Sequence, residues 1–364
     1  MRVVDLIEKK REKEELAKEE IHFLLSEYLK GNVPDYQMSA FLMAVYFNDM
    51  TKSELFEFTS LMKDSGEIIK FEKINKFLVD KHSTGGVGDK VTVVLAPILA
   101  ALGLASTKLS GKGLGHTGGT IDKFEAIKGF KFSSSKEEVE KIASKTGIGL
   151  MGYSDKIVPL DKKLYSLRDV TATVPSIPLI ASSIMSKKLA IQSDVIILDV
   201  KVGDGAFMKN IDCARELAKR MIEIGIGFKR KVRVVLSNMD EPLGYSVGNA
   251  IEIIEAIETL KGNGAKDVKE VVYTIAALAL EARGEIKELK EKITKTEQDL
   301  SLVKKLLVEK NGENEEPTLY DECLEKSRVF NEQDRKIQNF YKDSARTISL
   351  NTDPVIVDNP RSYN

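Results

Sequence analysis

Apolar positions recur at helical spacing over residues 1–66. The stretch TKSE at residues 51–54 is a capping-box pattern, and the apolar residues Leu55, Phe58 and Met62 follow it three to four positions apart. This spacing places the apolar side chains on one face of a helix. The pattern therefore predicts an all-helical segment at the start of the chain.

From about residue 77 the pattern changes to short, nearly continuous apolar runs. Each run is followed by a glycine-containing loop and then by a helical pattern; the runs read KFLVDKH (76–82), LASTKLS (104–110), DVIILDV (194–200) and KVRVVLS (231–237). Alternating strands and helices of this kind predict an α/β fold with a mostly parallel central sheet. Ligands of such sheets bind beyond the carboxyl ends of the strands, where these glycine loops fall.

Helical patterns interrupt this alternation at residues 159–192. We expect that segment to pack with the N-terminal helices and to leave a cleft beside the sheet. The predicted organisation is a helical domain formed by residues 1–66 and 160–192, an α/β domain formed by residues 67–159 and 193–310, and a divergent polar tail at residues 311–364.

Charge and cysteine content exclude several classes of protein. Lys and Arg total 55 against 56 for Asp and Glu, so no electrostatic argument favours nucleic acid or an anionic membrane as a partner. The two cysteines, Cys213 and Cys323, lie far apart and predict neither a disulfide framework nor a zinc site. No apolar leader or membrane-spanning stretch is recognisable, so we expect a cytoplasmic protein.

Two glycine loops carry similar hydrogen-bond donors. Lys81 and Ser83 precede the first loop, and Lys108 and Ser110 precede the second in the same K-x-S relation. Glycines let backbone N–H groups converge on an anion, and the lysines and hydroxyls add further donors. Because both loops follow strands, the sequence predicts one phosphate-sized oxyanion held from two sides.

A nucleotide site is less well supported. No G-x-x-x-x-G-K-[ST] sequence occurs, and GLGHTG at residues 113–118 only partly fits a dinucleotide fingerprint. The acidic residue expected about 20 positions later would be Glu137 or Glu138, in the capped first turn of a helix. That position is wrong for a ribose-binding carboxylate.

The helical insert supplies a second group of polar residues. Arg168 follows the pattern KKLYSL, while Ser183 and Lys187 are four residues apart and share one face of a helix. An arginine, a serine and a lysine that face a cleft suit a flat ligand with carbonyl oxygens and an N–H group.

Four stretches, taken together, closely resemble the thymidine/pyrimidine-nucleoside phosphorylase family. They are KHSTGGVGDK (81–90), SGKGLGHTGGTIDKFE (110–125), LYSLRDVTATVPSIPLIASSIMSKKLA (164–190) and LDVKVGDGAFM (198–208). In the second stretch, Lys112 stands where the family usually has arginine and Phe124 where a smaller aliphatic residue is usual. The resemblance covers about residues 1–285 and implies a small helical domain, a larger α/β domain, an active site in the cleft between them, and a homodimer joined through the helical domain.

The resemblance also implies roles for individual residues. His82, Arg168 and Lys187 would be catalytic. Arg168, Ser183 and Lys187 would bind the pyrimidine base. The phosphate would be bound by Lys81, His82, Ser83, Thr92, Lys108, Leu109, Ser110 and Thr120.

The implied reaction is reversible phosphorolysis of uridine, thymidine and deoxyuridine to free base and (deoxy)ribose 1-phosphate. Inorganic phosphate is the co-substrate, and no redox or metal cofactor is required. Lys108 resembles the broad-specificity branch of the family. Two alternatives stay open: an anthranilate-type phosphoribosyltransferase, and a shortened relative that binds ligand without turnover, because the family's longer C-terminal α/β portion is not recognisable here.

A monovalent cation site is the last implied feature. The pyrimidine branch often binds potassium, and the matching positions here are Gly88, Leu243 and Glu255. Lys90 stands where that branch usually has a small hydroxyl residue. We therefore expect the Lys90 ammonium group to occupy or crowd the site and to bridge toward Glu255.

Overall fold

The computed structural model describes residues 1–111, 118–133, 135–152 and 154–284, together with the backbone of residues 355–357. Most of the second glycine loop (112–117), the predicted end of the α/β domain (285–310) and nearly all of the predicted tail lie outside the described residues.

The N-terminal segment is helical, as predicted. The capping box at the start of α4 is present, because the Glu54 N–H donates to Thr51 Oγ1 at 3.2 Å and the Thr51 N–H donates to Glu54 Oε2 at 2.8 Å. Leu55, Phe58 and Met62 are buried on one face of that helix. The helices are α1 (Val3–Arg11), α2 (Lys18–Lys30), α3 (Asp35–Asn48) and α4 (Lys52–Asp64).

The described strands form one parallel sheet, which confirms the predicted fold class. Their order across the sheet is β3-β2-β1-β4-β5-β6. The strands are β1 (Leu78–Ser83), β2 (Ala105–Leu109), β3 (Ile148–Met151), β4 (Val195–Val202), β5 (Lys231–Asn238) and β6 (Val355–Val357). The strand β6 falls inside the predicted polar tail, where three β-branched residues in a row favour an extended backbone.

Helices cover both faces of the sheet, as a parallel sheet requires. Alternate residues of β4 divide between two hydrophobic cores: Ile196 and Leu198 join the core shared with the N-terminal helices, while Ile197 joins the core on the opposite face. The helices of the α/β part are α5 (Val91–Ala101), α6 (Thr120–Glu125), α7 (Lys136–Thr146), α10 (Ile211–Gly227), α11 (Asn249–Glu258) and α12 (Lys266–Arg283), and a short π-helical turn (Thr259–Asn263) follows α11.

The two remaining helices are α8 (Pro159–Val170) and α9 (Ile177–Leu189). The helix α9 packs against α4, and α8 packs against α2 and α3. The insert therefore joins the N-terminal helices in one core and faces the carboxyl ends of β1 and β2. Among the described helices, none combines the length and the apolar character needed to cross a membrane.

Candidate active site

A cavity of about 1010 Å³ lies between the glycine loops and the helices α8 and α9. Most of the predicted site residues line it, although they come from separate parts of the chain. They are His82, Ser83, Lys108, Leu109, Ser110, Thr120, Arg168, Ser183 and Lys187. Lys81 and Thr92 are buried behind its wall, where they contact residues that line it.

Close packing of the backbone explains the glycines of the first loop. Gly85 has a φ of 93°, which disfavours other residues, and its N–H donates to Ser83 Oγ at 3.2 Å. A Cβ atom at Gly86 would lie 2.7 Å from Met239 Cε. The loop therefore stays close to the chain that follows β5 and presents its backbone to the cavity.

Lys81 belongs to a buried cluster of charges at the ends of β1 and β4. Its Nζ lies 3.0 Å from Asp199 Oδ2 and 3.9 Å from Asp89 Oδ1, and Lys201 Nζ lies 2.8 Å from the same Asp199 oxygen. Burial opposes ionisation of Asp199, but Lys201 and Lys81 outweigh it and keep the pKa of Asp199 below its ordinary value. The two carboxylates balance the formal charges of the two lysines and hold Lys81 behind the loop.

Lys108 and Ser110 place donors at the cavity without full internal partners. Lys108 Nζ donates to Thr92 Oγ1 at 2.7 Å. Burial, together with the nearby charges of Lys81 and Lys188, lowers the pKa of Lys108 to about 7. The buried Ser110 hydroxyl has no hydrogen-bond partner among the described residues. An anion that bound here could accept hydrogen bonds from both the Lys108 ammonium and the Ser110 hydroxyl.

His82 is the penultimate residue of β1 and lies near several lysines. Burial lowers its pKa well below the ordinary value, and the charges of Lys188 and Lys108 lower it further. The imidazole is therefore neutral at pH 7. A neutral imidazole can donate one N–H hydrogen bond, and it carries no positive charge.

Arg168 is fixed by backbone carbonyls of the α8–α9 connection and of the first turn of α9. Its guanidinium donates to Leu179 O at 3.0 Å and to Val174 O at 2.7 Å. Burial lowers the pKa of Arg168 to about 10, so the group stays charged at neutral pH. These bonds set the plane of the guanidinium, and only its remaining N–H groups are available to a ligand.

Lys187 lies between Ser183 and a residue that sequence reasoning missed. Its Nζ donates to Ser183 Oγ at 2.8 Å and also to Asp161 Oδ2. Burial lowers the pKa of Lys187, and the Asp161 carboxylate partly offsets that effect. Asp161 lies two helical turns before Arg168 on α8, so the spacing in the sequence places both residues on the same face of that helix.

An ion pair that the sequence did not predict joins the helical insert to the sheet. Lys188 Nζ lies 2.9 Å from Asp80 Oδ1 and 3.0 Å from Asp80 Oδ2, and both side chains are buried. The contact links α9, which carries Lys187, to the strand β1, which carries His82. The two sides of the cavity are thus joined by a buried ion pair at its base.

An ammonium group stands among the oxygens of the predicted cation site. Lys90 Nζ donates to Leu243 O at 2.5 Å and to Ser246 O at 3.0 Å, and it lies 2.8 Å from Glu255 Oε2. The side chain is fully buried. The Gly88 carbonyl accepts from the Lys90 backbone N–H at 2.9 Å, so this third predicted position contacts Lys90 through the main chain.

Two family models match this chain. Residues 75–302 match the model described as "Glycosyl transferase family, a/b domain", and residues 4–66 match "Glycosyl transferase family, helical bundle domain".

Curated relatives in which over half of the aligned residues are identical also match. The pyrimidine-nucleoside phosphorylases of Geobacillus stearothermophilus and of Bacillus subtilis (strain 168) are each 53% identical over 277 residues, which cover 76% of this chain. The match spans 64% of the length of each of these relatives.

The fold also occurs among solved structures. Anthranilate phosphoribosyltransferase from Thermus thermophilus superposes with a TM-score of 0.60 at 18% sequence identity, over 79% of this chain and 92% of that one. At this identity the similarity concerns the fold alone.

Proposed function

Because this chain belongs to the glycosyl transferase family, whose a/b-domain model matches residues 75–302, we propose that it catalyses the reversible phosphorolysis of pyrimidine nucleosides. One observation carries the proposal: a single cavity has anion donors from the glycine loops on one side and Arg168, Ser183 and Lys187 on the other. The names of the curated relatives agree with this reading.

On the sheet side, the proposal assigns inorganic phosphate to the two glycine loops. The free hydroxyl of Ser110 and the ammonium of Lys108 act as donors, with the loop N–H groups beside them. Lys81 contributes its charge from behind the loop. Asp89 and Asp199 hold that lysine in place, so its ammonium group is already positioned when phosphate binds.

On the helical side, the proposal assigns the pyrimidine base to Arg168, Ser183 and Lys187. A phosphate oxygen forms a bond to the anomeric carbon, while the bond from that carbon to the base breaks and leaves its electron pair on the base. Lys187 and the free N–H groups of Arg168 stabilise the negative charge that develops there. Neutral His82 adds a hydrogen bond to a base carbonyl.

The direct test is release of uracil or thymine by the pure protein in the presence of phosphate. Uridine, thymidine and deoxyuridine are each expected to be cleaved, and cleavage is expected to stop without phosphate. Cleavage of none of them by a folded protein refutes the proposal. Binding of uracil and phosphate without turnover would favour the non-catalytic relative, and activity with phosphoribosyl diphosphate would favour the transferase.

We also propose a homodimer formed through the helical domain. The exposed fractions of Val4, Tyr36 and Phe47, on α1 and α3, are 56%, 75% and 74%. Large exposed apolar side chains on two helices that pack together, as α1 and α3 do, are typical of an interaction surface. A cytoplasmic location remains our expectation for a protein that works on free nucleosides and phosphate.

We propose further that the Lys90 ammonium takes the place of a potassium ion. It already donates to two carbonyl oxygens and pairs with the Glu255 carboxylate. Activity of the native protein is therefore expected to be equal in potassium and tetramethylammonium buffers, and Lys90→Thr is expected to gain a potassium requirement. A strong potassium requirement in the native protein contradicts this proposal.

A further inference from the structure

The helix α11 (Asn249–Glu258) has an inverted distribution of polar and apolar residues. Its glutamates Glu252 and Glu255 are buried, with exposed fractions of 3% and 8%. Its isoleucines Ile251 and Ile254 are 48% and 59% exposed. Ile253 and Ala256 lie on the same buried face and join the core. Hydrophobic burial does not account for two carboxylates on that face, so the glutamates have a different reason to be inside.

Glu252 reaches the second glycine loop through Lys123. Glu252 Oε2 lies 3.3 Å from Lys123 Nζ, and Lys123 is almost fully buried. The same Nζ donates to Gly118 O at 2.7 Å. Gly118 and Thr120 line the cavity, so this lysine fixes backbone that faces the proposed phosphate.

Glu255 reaches the first glycine loop through Lys90. Their charged atoms lie 2.8 Å apart, and Lys90 immediately follows the loop residues that line the cavity. Glu252 and Glu255 are three residues apart and therefore share one face of α11. One helix thus pairs with two buried lysines, each of which directly follows one of the two loops.

We propose that α11 sets the spacing between the two glycine loops, with Lys123 and Glu252 as positioning residues for phosphate. This inference rests on the proposed function, since it concerns the same anion site. Two loops that bind one anion from opposite sides need a fixed separation, because a misplaced donor loses much of its hydrogen-bond energy. Buried ion pairs are costly to desolvate, so their value here lies in the geometry that they impose.

The first experiment is Lys123→Met with steady-state kinetics. We expect the KM for phosphate to rise about tenfold, as is typical when a group that supports a ligand-binding residue is removed. The KM for nucleoside is expected to change less than twofold, because the base residues lie on α8 and α9. Lys123→Arg, which keeps the charge and a donor, is expected to recover most of the loss.

Lys10→Met provides the matched control. Lys10 and Glu54 form another buried lysine–glutamate pair, with 2.7 Å between Nζ and Oε2, inside the helical domain. Its loss is expected to lower stability without changing the KM for phosphate. If Lys123→Met does not fold, the double variant Lys123→Met/Glu252→Met removes both charges together, which avoids a lone buried carboxylate, and is measured in its place.

Hydrogen exchange separates this inference from the proposed function. In Glu252→Gln we expect faster exchange in peptides that cover residues 118–125, which Glu252 holds through Lys123, whether or not the protein turns over nucleosides. Residues 84–90, which Glu255 still holds through Lys90, and residues 177–189 are expected to exchange as in the native protein. Exchange as slow as in the native protein at residues 118–125 refutes the inference. An unchanged KM for phosphate in Lys123→Met, or a rise no larger than in Lys10→Met, refutes it as well.

Discussion

Protonation of Lys108 is expected to control how tightly this protein binds phosphate above pH 7. Burial and the charges of Lys81 and Lys188 lower its pKa to about 7, so raising the pH removes the charge from a group that faces the cavity. A bound dianion reverses this effect, because its negative charge favours the ammonium form. Phosphate binding and protonation of Lys108 are therefore coupled.

The size of the coupling follows from that pKa. With a value of about 7, about one Lys108 in eleven is charged at pH 8 and about one in a hundred at pH 9. Phosphate affinity is then expected to fall about ninefold between pH 8 and pH 9. If the bound anion restores the ordinary pKa, each binding event at pH 8 takes up about 0.9 proton.

Isothermal titration calorimetry measures both quantities. Titrations at pH 8 in two buffers with different heats of ionisation give the proton uptake, and titrations at pH 8 and pH 9 give the change in affinity. Sulfate is the matched ligand, since it stays dianionic over this range and reports only the titration of the protein. Lys108→Met is the matched variant, in which the affinity is expected to be weaker at pH 8 and to lose the ninefold dependence on pH.

Equal phosphate affinity at pH 8 and pH 9, with no proton taken up, would refute this reasoning. It would mean that Lys108 is fully charged before the anion arrives. Retention of the same pH dependence in Lys108→Met would instead assign the titration to another group and remove Lys108 from the explanation.

Three further predictions concern the helical side and its contacts. Asp161→Asn removes the negative charge that partly offsets the effect of burial on Lys187, so the pKa of Lys187 is expected to fall further. The alkaline limb of the kcat–pH profile is then expected to move to lower pH. An unchanged profile contradicts this prediction. Lys188→Met leaves the buried Asp80 carboxylate unpaired, so the free energy of unfolding measured in urea is expected to fall by about 3–5 kcal/mol. The double variant Lys188→Met/Asp80→Asn is expected to restore most of that loss. Phe47→Glu is expected to yield monomers in sedimentation velocity with its secondary structure intact, and a dimer of native stability would exclude this face as the interface.

Local signals in the sequence were sufficient for the main elements of the fold. The capping box at Thr51 predicted the start of α4, and apolar runs that end in glycine loops predicted β1, β2, β4 and β5. The edge strand β6 was not predicted, because three apolar residues inside a polar stretch carry no periodicity from which to argue.

The candidate site was predictable only in part, for a physical reason. Lys108 and Ser110 repeat the spacing of Lys81 and Ser83, so their position at a strand end could be read locally. Asp80 and Lys188 are separated by 108 residues, and only tertiary packing joins them. Such pairs are also hard to predict because charged residues usually lie at the surface, and the sequence alone does not distinguish a buried lysine from an exposed one.

The packing of α9 against α4 has a consequence for synthesis of the chain. Leu55, Phe58 and Met62 of α4 share one core with Leu179 and Met185 of α9, yet α9 begins at Ile177, more than a hundred residues after α4 ends at Asp64. At roughly 5–20 residues per second, the ribosome adds the intervening chain in about 6–23 s. During that interval α4 can pack against α2, but the apolar surface that α9 finally covers stays exposed, and surface of this kind promotes aggregation.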